Sequence, residues 1–283
     1  MRLCDLKTKY DNQSMNEEYA GDVKAILYGQ TYQEIESGVT KLKYKQGENK
    51  YTNFFRNFAT YFFLNKEKPI EEKRSFAAAL LKLFALLSIS EYGYSSSKFK
   101  VFLIGMNMEI GAGVSTEALV RLIREHIRKN FEKAAVRQAL LEAAPDAGLV
   151  YLNEYLFAKE RGRPVDISSR KIDIEHIMPA SGKNIVAVRA DANMEEDVFN
   201  RYVNQLGNLI LLEKYINGSL SNDWFRVKKQ NSVNDKRGYK DSVFPLARSL
   251  VAYSRDKWGK DDITAATEKA AQRIADFLFD DEE

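Results

Sequence analysis

The chain has one cysteine, Cys4, in 283 residues. A single thiol excludes a disulfide within one chain and a thiolate zinc cage, and its scarcity fits a reducing, cytoplasmic setting. Histidine is nearly as scarce, with two residues, His126 and His176. No apolar run reaches the length of a membrane span, and the N-terminus lacks the basic-then-apolar layout of a signal peptide, so no membrane partner is expected. There is no G-x-x-x-x-G-K-[ST] phosphate loop, no repeat of fixed period, no heptad run and no low-complexity tract. Charge of either sign is also in short excess: the net value is +3, too small to argue for nucleic acid by itself. What is present is an ordinary soluble globular composition, 45% apolar and 29% charged. The length allows one large or two modest domains with a substantial core.

Most of the chain reads as helix. Residues 1–13 show no clear period, whereas from Asn16 to Leu42 the apolar points Val23, Ile26, Leu27 and Tyr32 recur at helical spacing. Tyr51–Leu64 is densely aromatic, with Phe54, Phe55, Phe58, Tyr61, Phe62 and Phe63. Such spacing predicts a buried helix rather than a base-stacking platform. Pro69 suits a first turn and opens an Ala/Leu-rich helix over Ile70–Ser88. Ser95–Ser97 reads as a loop. Phe99–Met106 fits strand or helix, and its helical surroundings favour helix. Ser115, followed by Thr116 and Glu117, caps a helix that runs to about Lys133. His126 lies on it beside Ile123 and Ile127 and is given a structural place and no chemical role. Ala134–Ala143 and Leu149–Lys159 are further helical segments, separated by Pro145, Asp146 and Gly148. Gly162, Pro164 and Ser168–Ser169 form a linker.

Two stretches beyond that linker carry chemistry. They are KIDIEHIMP, Lys171–Pro179, and NQLGNLILLEKYIN, Asn204–Asn217. Lys171–Ile174 alternates as a short strand, and Pro179 forbids much further ladder pairing. Leu209–Leu212 is a compact apolar run that suits a second strand, and Ser219–Lys229 is predicted to start a helix. Strand, loop, strand and helix, with His, Asn and Asn at these points, is the layout of a ββα-metal (HNH) nuclease. Phosphodiester hydrolysis needs an activated water and a cation to neutralise charge on the scissile phosphate and leaving oxygen. His176 is assigned as general base, because an imidazole near neutrality can take a proton from water. Glu175 and Asn217 are assigned as oxygen ligands of Mg²⁺, with Mn²⁺ as a substitute, since such an ion keeps several waters and needs few protein ligands. Asn208 is assigned to brace the loop and the orientation of His176. Neighbours on a regular strand face opposite ways, so Glu175 and His176 share a site only if the strand ends or twists there. Asp173 shares the face of Glu175 and is the reserve ligand.

IEHIMP, NQLGNLILL and the spaced residues Asn217, Asn222, Phe225 and Lys228 together resemble the C-terminal nuclease domain of GmrSD-type, modification-dependent (type IV) restriction enzymes. That family carries an (I/L)EHI-x-P motif, an LGNL-x-LL motif, an N…N…F-x-x-K tail and a closing helix opened by Trp, here Trp258 before Ile263–Phe279. The close match spans about Ile172 to Tyr239. One departure is the sequence Ala180, Ser181, Gly182 where the family often has Gln and then Trp. The resemblance implies a defence role against foreign or modified DNA. It also implies a nucleotide-dependent sensing module, whose DGQQR-like signature this chain lacks, in the same full-length chain or in a partner subunit.

The expectation is a mainly α protein: a helical connector over 1–170, then an HNH-type nuclease domain over 171–283 with its ββα motif embedded in helices. Arg226, Lys228 and Lys229 lie in a basic run from Trp224 to Lys240 in which Asp235 is the one acidic residue before Lys240, and they are expected to grip phosphates beside the site. Phe225 is expected to pack inward on the same helix. Two further functions fit the same residues: an RNase or non-specific nuclease toxin using the same site, and a helical interaction module with an inactive nuclease fold.

Overall fold

In this computed structural model, residues 52–89, 96–142, 144–163, 165, 171–230 and 237–280 are described. The expectations for residues 1–13 and Asn16–Leu42 lie outside the described residues, as do most of the linker and the acidic end 281–283. The chain is mainly helical, with one two-stranded sheet. It divides into two compact units, one ending at Asn130 and one starting at Phe131.

The first unit holds helices α1 (Thr52–Leu64), α2 (Ile70–Ile89), α3 (Ser96–Gly111) and α4 (Thr116–Asn130). Of the aromatic run, Tyr61 is fully buried and stacks on Phe76 of α2 with ring centroids 3.9 Å apart, whereas Phe58 is 44% exposed. The Tyr61 hydroxyl stays satisfied within 2.7 Å of the Thr116 hydroxyl. Phe99–Met106 is helical, inside α3, and α3 starts at Ser96 within the segment read as a loop. Ser115 caps α4 by accepting from the Ala118 backbone at 3.3 Å. The apolar stripe Leu119, Val120, Ile123, Ile127 is buried at the spacing of one helix face. This helix ends at Asn130, earlier than the expected Lys133. The Asn130 amide there donates to the His126 carbonyl at 2.7 Å, a local bond of the kind that stops a helix. His126 stacks on Phe102 at 3.7 Å, and burial pushes its imidazole down to about 4, so it stays neutral.

In the second unit, helices α5 (Lys133–Glu142) and α6 (Ala147–Glu160) precede strand β1 (Ile172–His176). The compact unit thus begins upstream of residue 171. Helices α7 (Ile185–Asp191) and α8 (Glu196–Tyr202) fill the connection, and a 3-10 turn over Leu206–Asn208 leads into strand β2 (Leu209–Glu213). Helices α9 (Lys214–Leu220), α10 (Phe225–Gln230), α11 (Pro245–Ser249) and α12 (Lys260–Phe279) follow. β1 and β2 pair antiparallel, with His176 opposite Leu209 and Asp173 opposite Leu212. All five residues of β2 are buried, because α6 and α11 pack against it as well as α9. That double burial explains the unbroken apolar run where one-sided burial gives alternation.

Helix α12 is the floor under this assembly. Its buried stripe of Ile263, Thr267, Ala270, Ala271, Ile274, Ala275 and Leu278 recurs at the helical period. Its small residues let the 3-10 turn come close. A Cβ at Gly207 would lie 2.4 Å from the Ile263 carbonyl oxygen and from the Thr267 backbone nitrogen, so only glycine fits. The Gly207 N–H donates to the Thr267 hydroxyl at 3.0 Å and fixes the contact.

The helix expected over Ser219–Lys229 is two helices. Ser221 adopts φ +50, a left-handed conformation rare for serine, and breaks α9 from α10. Asn217 accordingly lies within α9 and not ahead of it.

Candidate active site at the end of the strand pair

β1 stops at His176, where the peptide chain turns away toward Pro179. Asn208 governs that turn. It is fully buried, its Oδ1 accepts from the Met178 backbone at 2.8 Å, and its Nδ2 donates to the carbonyls of Met178 at 2.9 Å and Val203 at 2.7 Å. Its own carbonyl accepts from the Ile177 backbone at 2.9 Å. One amide therefore ties the segment after His176 to the segment before β2. Its side-chain bonds all go to backbone.

His176 is half-buried, with Nε2 3.0 Å from Oδ1 of Asn204, an exposed residue of the second segment. Across the strand pair, helix α9 brings the Asn217 Nδ2 to 3.3 Å from the Asp173 carboxylate. Both side chains are half-exposed.

Glu175 points the other way from solvent. It is 5% exposed and forms an ion pair with Lys228 at 2.5 Å, with the buried Tyr239 hydroxyl donating to the same oxygen at 3.2 Å. Lys228 is 1% exposed and also donates to the carbonyl of His176 at 2.7 Å and of Ile177 at 3.4 Å. Burial pushes the Glu175 carboxyl up against the pull of Lys228, pushes the Lys228 ammonium down, and pushes the Tyr239 phenol well up. Each charge is costly in that interior, and the pairing is what offsets the cost. Of the two expected ligands, Glu175 has its carboxylate held by these two inward donors, and the carboxylate that lies beside Asn217 is that of Asp173, the reserve ligand.

In the basic cluster, Lys228 and Lys229 are both buried. Lys229 is 6% exposed and donates to the Tyr253 and Arg255 carbonyls, both at 2.9 Å, and to Asp256 at 2.8 Å. An ammonium so enclosed has no donor left to offer a phosphate at the surface. Arg226 alone of the three is exposed, with its guanidinium 5.2 Å over the Trp224 ring. Phe225 packs inward as expected, 4% exposed, in an aromatic cluster with Trp258 at 5.4 Å and Tyr253 at 6.0 Å.

Two residues that line the arrangement escape the sequence reading. Tyr239 is distant in sequence, and a lone tyrosine carries no period. Asn204 opens the second motif, but an asparagine in a loop reads first as a turn residue.

Among the described residues, no three His, Cys, Asp or Glu side chains gather to hold a metal. The donors on hand are the Asp173 carboxylate and the Asn217 amide. Both are oxygen donors once the amide makes a half-turn, and they fit a hard divalent ion that keeps most of its waters.

Fold and site define a class: a mainly helical protein that carries polar side chains on an antiparallel strand pair and on the helix that follows it. Within that class the chain belongs to the family of GmrSD restriction endonucleases, whose C-terminal domain matches residues 124–273, more than half of the chain. No curated protein and no solved structure matches it. No helix among the described residues is long and apolar enough to cross a membrane.

Proposed function

We propose that the chain is a divalent-metal-dependent DNA endonuclease of the ββα-metal (HNH) kind, acting on foreign or modified DNA. One observation carries the reading: in a chain of this family, an accessible imidazole stands at the end of β1 while a carboxylate–amide pair, Asp173 and Asn217, joins the same strand to the following helix. Bound there, Mg²⁺ or Mn²⁺ would neutralise charge on the scissile phosphate and the leaving oxygen. His176 takes the proton from the attacking water. Asn208 holds the turn that presents His176, and Lys228 holds the same turn from beneath through two carbonyls. Of Arg226, Lys228 and Lys229, Arg226 is the one that supplies phosphate grip. An N-terminal nucleotide-dependent sensing module, in the same full-length chain or in a partner, would choose the DNA.

Plasmid and RNA digestion with and without Mg²⁺ tests this reading. Wild type should cut DNA only with the ion. His176→Ala should lose about 10²–10⁴-fold, the usual scale of general-base catalysis, and Asp173→Asn should lose its response to Mg²⁺ while both variants stay folded. Cleavage by His176→Ala at the wild-type rate would remove the imidazole from the mechanism. Cleavage confined to RNA would reassign the substrate.

A further inference from the structure

We propose that Asn204 is the positioning residue that sets the tautomer of His176, leaving Nδ1 as the basic nitrogen. The inference rests on the nuclease reading for its catalytic consequence, but not for the tautomer itself. Nε2 of His176 lies 3.0 Å from Asn204 Oδ1. An amide oxygen only accepts, so Nε2 carries the proton and donates. In the neutral ring the free lone pair is then on Nδ1, since the partner of one ring nitrogen decides the state of the other.

Asn204 is exposed, so burial does not hold this bond in place. The backbone does. Asn208 bonds Met178, two residues after His176, and Val203, immediately before Asn204. On the far side of Asn204, the Gln205 amide reaches the Leu141 carbonyl at 3.3 Å, and Gly207 is docked on α12. The His176 end is fixed independently, by Lys228 on its carbonyl at 2.7 Å. The two ends of the bond are thus preset by separate anchors, and Asn204 pays little entropy to orient the ring. Without it, a half-exposed imidazole rotates and shares its proton between both nitrogens.

The full chain has two histidines, so ring nitrogens can be followed in a ¹⁵N-labelled sample with His126 as an internal reference. Spectra are taken at about pH 8, above the ordinary imidazole range. Wild type should show His176 as the Nε2–H form with a slowly exchanging ring proton. Asn204→Ala should lose that slow exchange, shift toward a mixture of tautomers, and lower kcat about 10–100-fold at unchanged KM, the scale for a group that orients a working histidine. Asn204→Asp keeps an acceptor oxygen and should recover the Nε2–H form and most of kcat. A wild-type ring protonated on Nδ1 overturns the proposal. So does an Asn204→Ala variant whose ring spectrum and kcat match wild type, or whose kcat falls while the ring spectrum stays unchanged. If the spectra behave as expected but wild type cuts no nucleic acid, the nuclease reading fails and the tautomer assignment stands.

Discussion

Replacing Lys228 with methionine removes one member of a buried ion pair and leaves a group of nearly the same length in its place. The side chains of Lys228 and Glu175 are 1% and 7% exposed, so water cannot take over from the missing ammonium. Glu175 is left with the Tyr239 hydroxyl, and the carbonyls of His176 and Ile177 lose their donor. Removing one partner of a buried pair costs about 3–5 kcal/mol. For a unit of this size, at about 2–4 °C per kcal/mol, that is a fall in Tm of about 6–20 °C. Urea unfolding followed by tryptophan fluorescence measures it directly. The pH dependence has a definite sign. Burial already holds the Glu175 carboxyl above its ordinary value, and loss of the counter-ion raises it further. The folded variant then binds a proton that the unfolded chain releases, so its stability falls as pH rises above the ordinary carboxylate range and recovers on acidification. The gap between wild type and Lys228→Met should therefore narrow as pH falls toward the ordinary carboxylate range. The double variant Glu175→Leu with Lys228→Met should regain much of the loss, because an apolar pair carries no desolvation penalty. A Lys228→Met protein as stable as wild type, with reduced salt dependence of DNA binding, would refute this account and return Lys228 to the surface.

Three other outcomes follow from the same contacts. Asn208→Ala leaves the Met178 N–H and two buried carbonyls unpaired, so it should cost about 1–3 kcal/mol per orphaned group in urea unfolding and lower kcat with it. Gly207→Ala drives a methyl into the backbone of α12 at 2.4 Å, so it should destabilise by at least about 1–3 kcal/mol of overpacking, read as a lower Tm. Arg226→Ala should leave Tm unchanged and flatten the plot of log affinity against log salt by about 0.9 if its guanidinium meets one phosphate of duplex DNA; parallel lines for variant and wild type would make it a solvated side chain.

Local pattern carried most of the elements. The aromatic spacing of Thr52–Leu64, the Ser115 cap and the apolar stripe of α4 are decided within a few residues of themselves, and so are β1 before Pro179 and the apolar run of β2. Pattern also marked His176, Asn208 and Asn217, because a histidine beside a strand-ending proline and asparagines flanking an apolar run are unusual residue types at unusual places. It did not decide which way the charges faced. Lys228 and Lys229 read as a solvent-facing basic cluster, since a lysine enters an interior only when a partner waits for it. The partners are Glu175, two carbonyls at the end of β1, Asp256 and the carbonyls of Tyr253 and Arg255. None is near in sequence, and together they offset the desolvation of both ammonium groups. The same long-range pairing turned Glu175 inward and left Asp173 opposite Asn217. The break at Ser221 moved Asn217 into a helix. The residue types at the site were legible along the chain; their partners, and hence which carboxylate faces Asn217 and which nitrogen of His176 is free, depend on distances between segments that only the folded chain brings together.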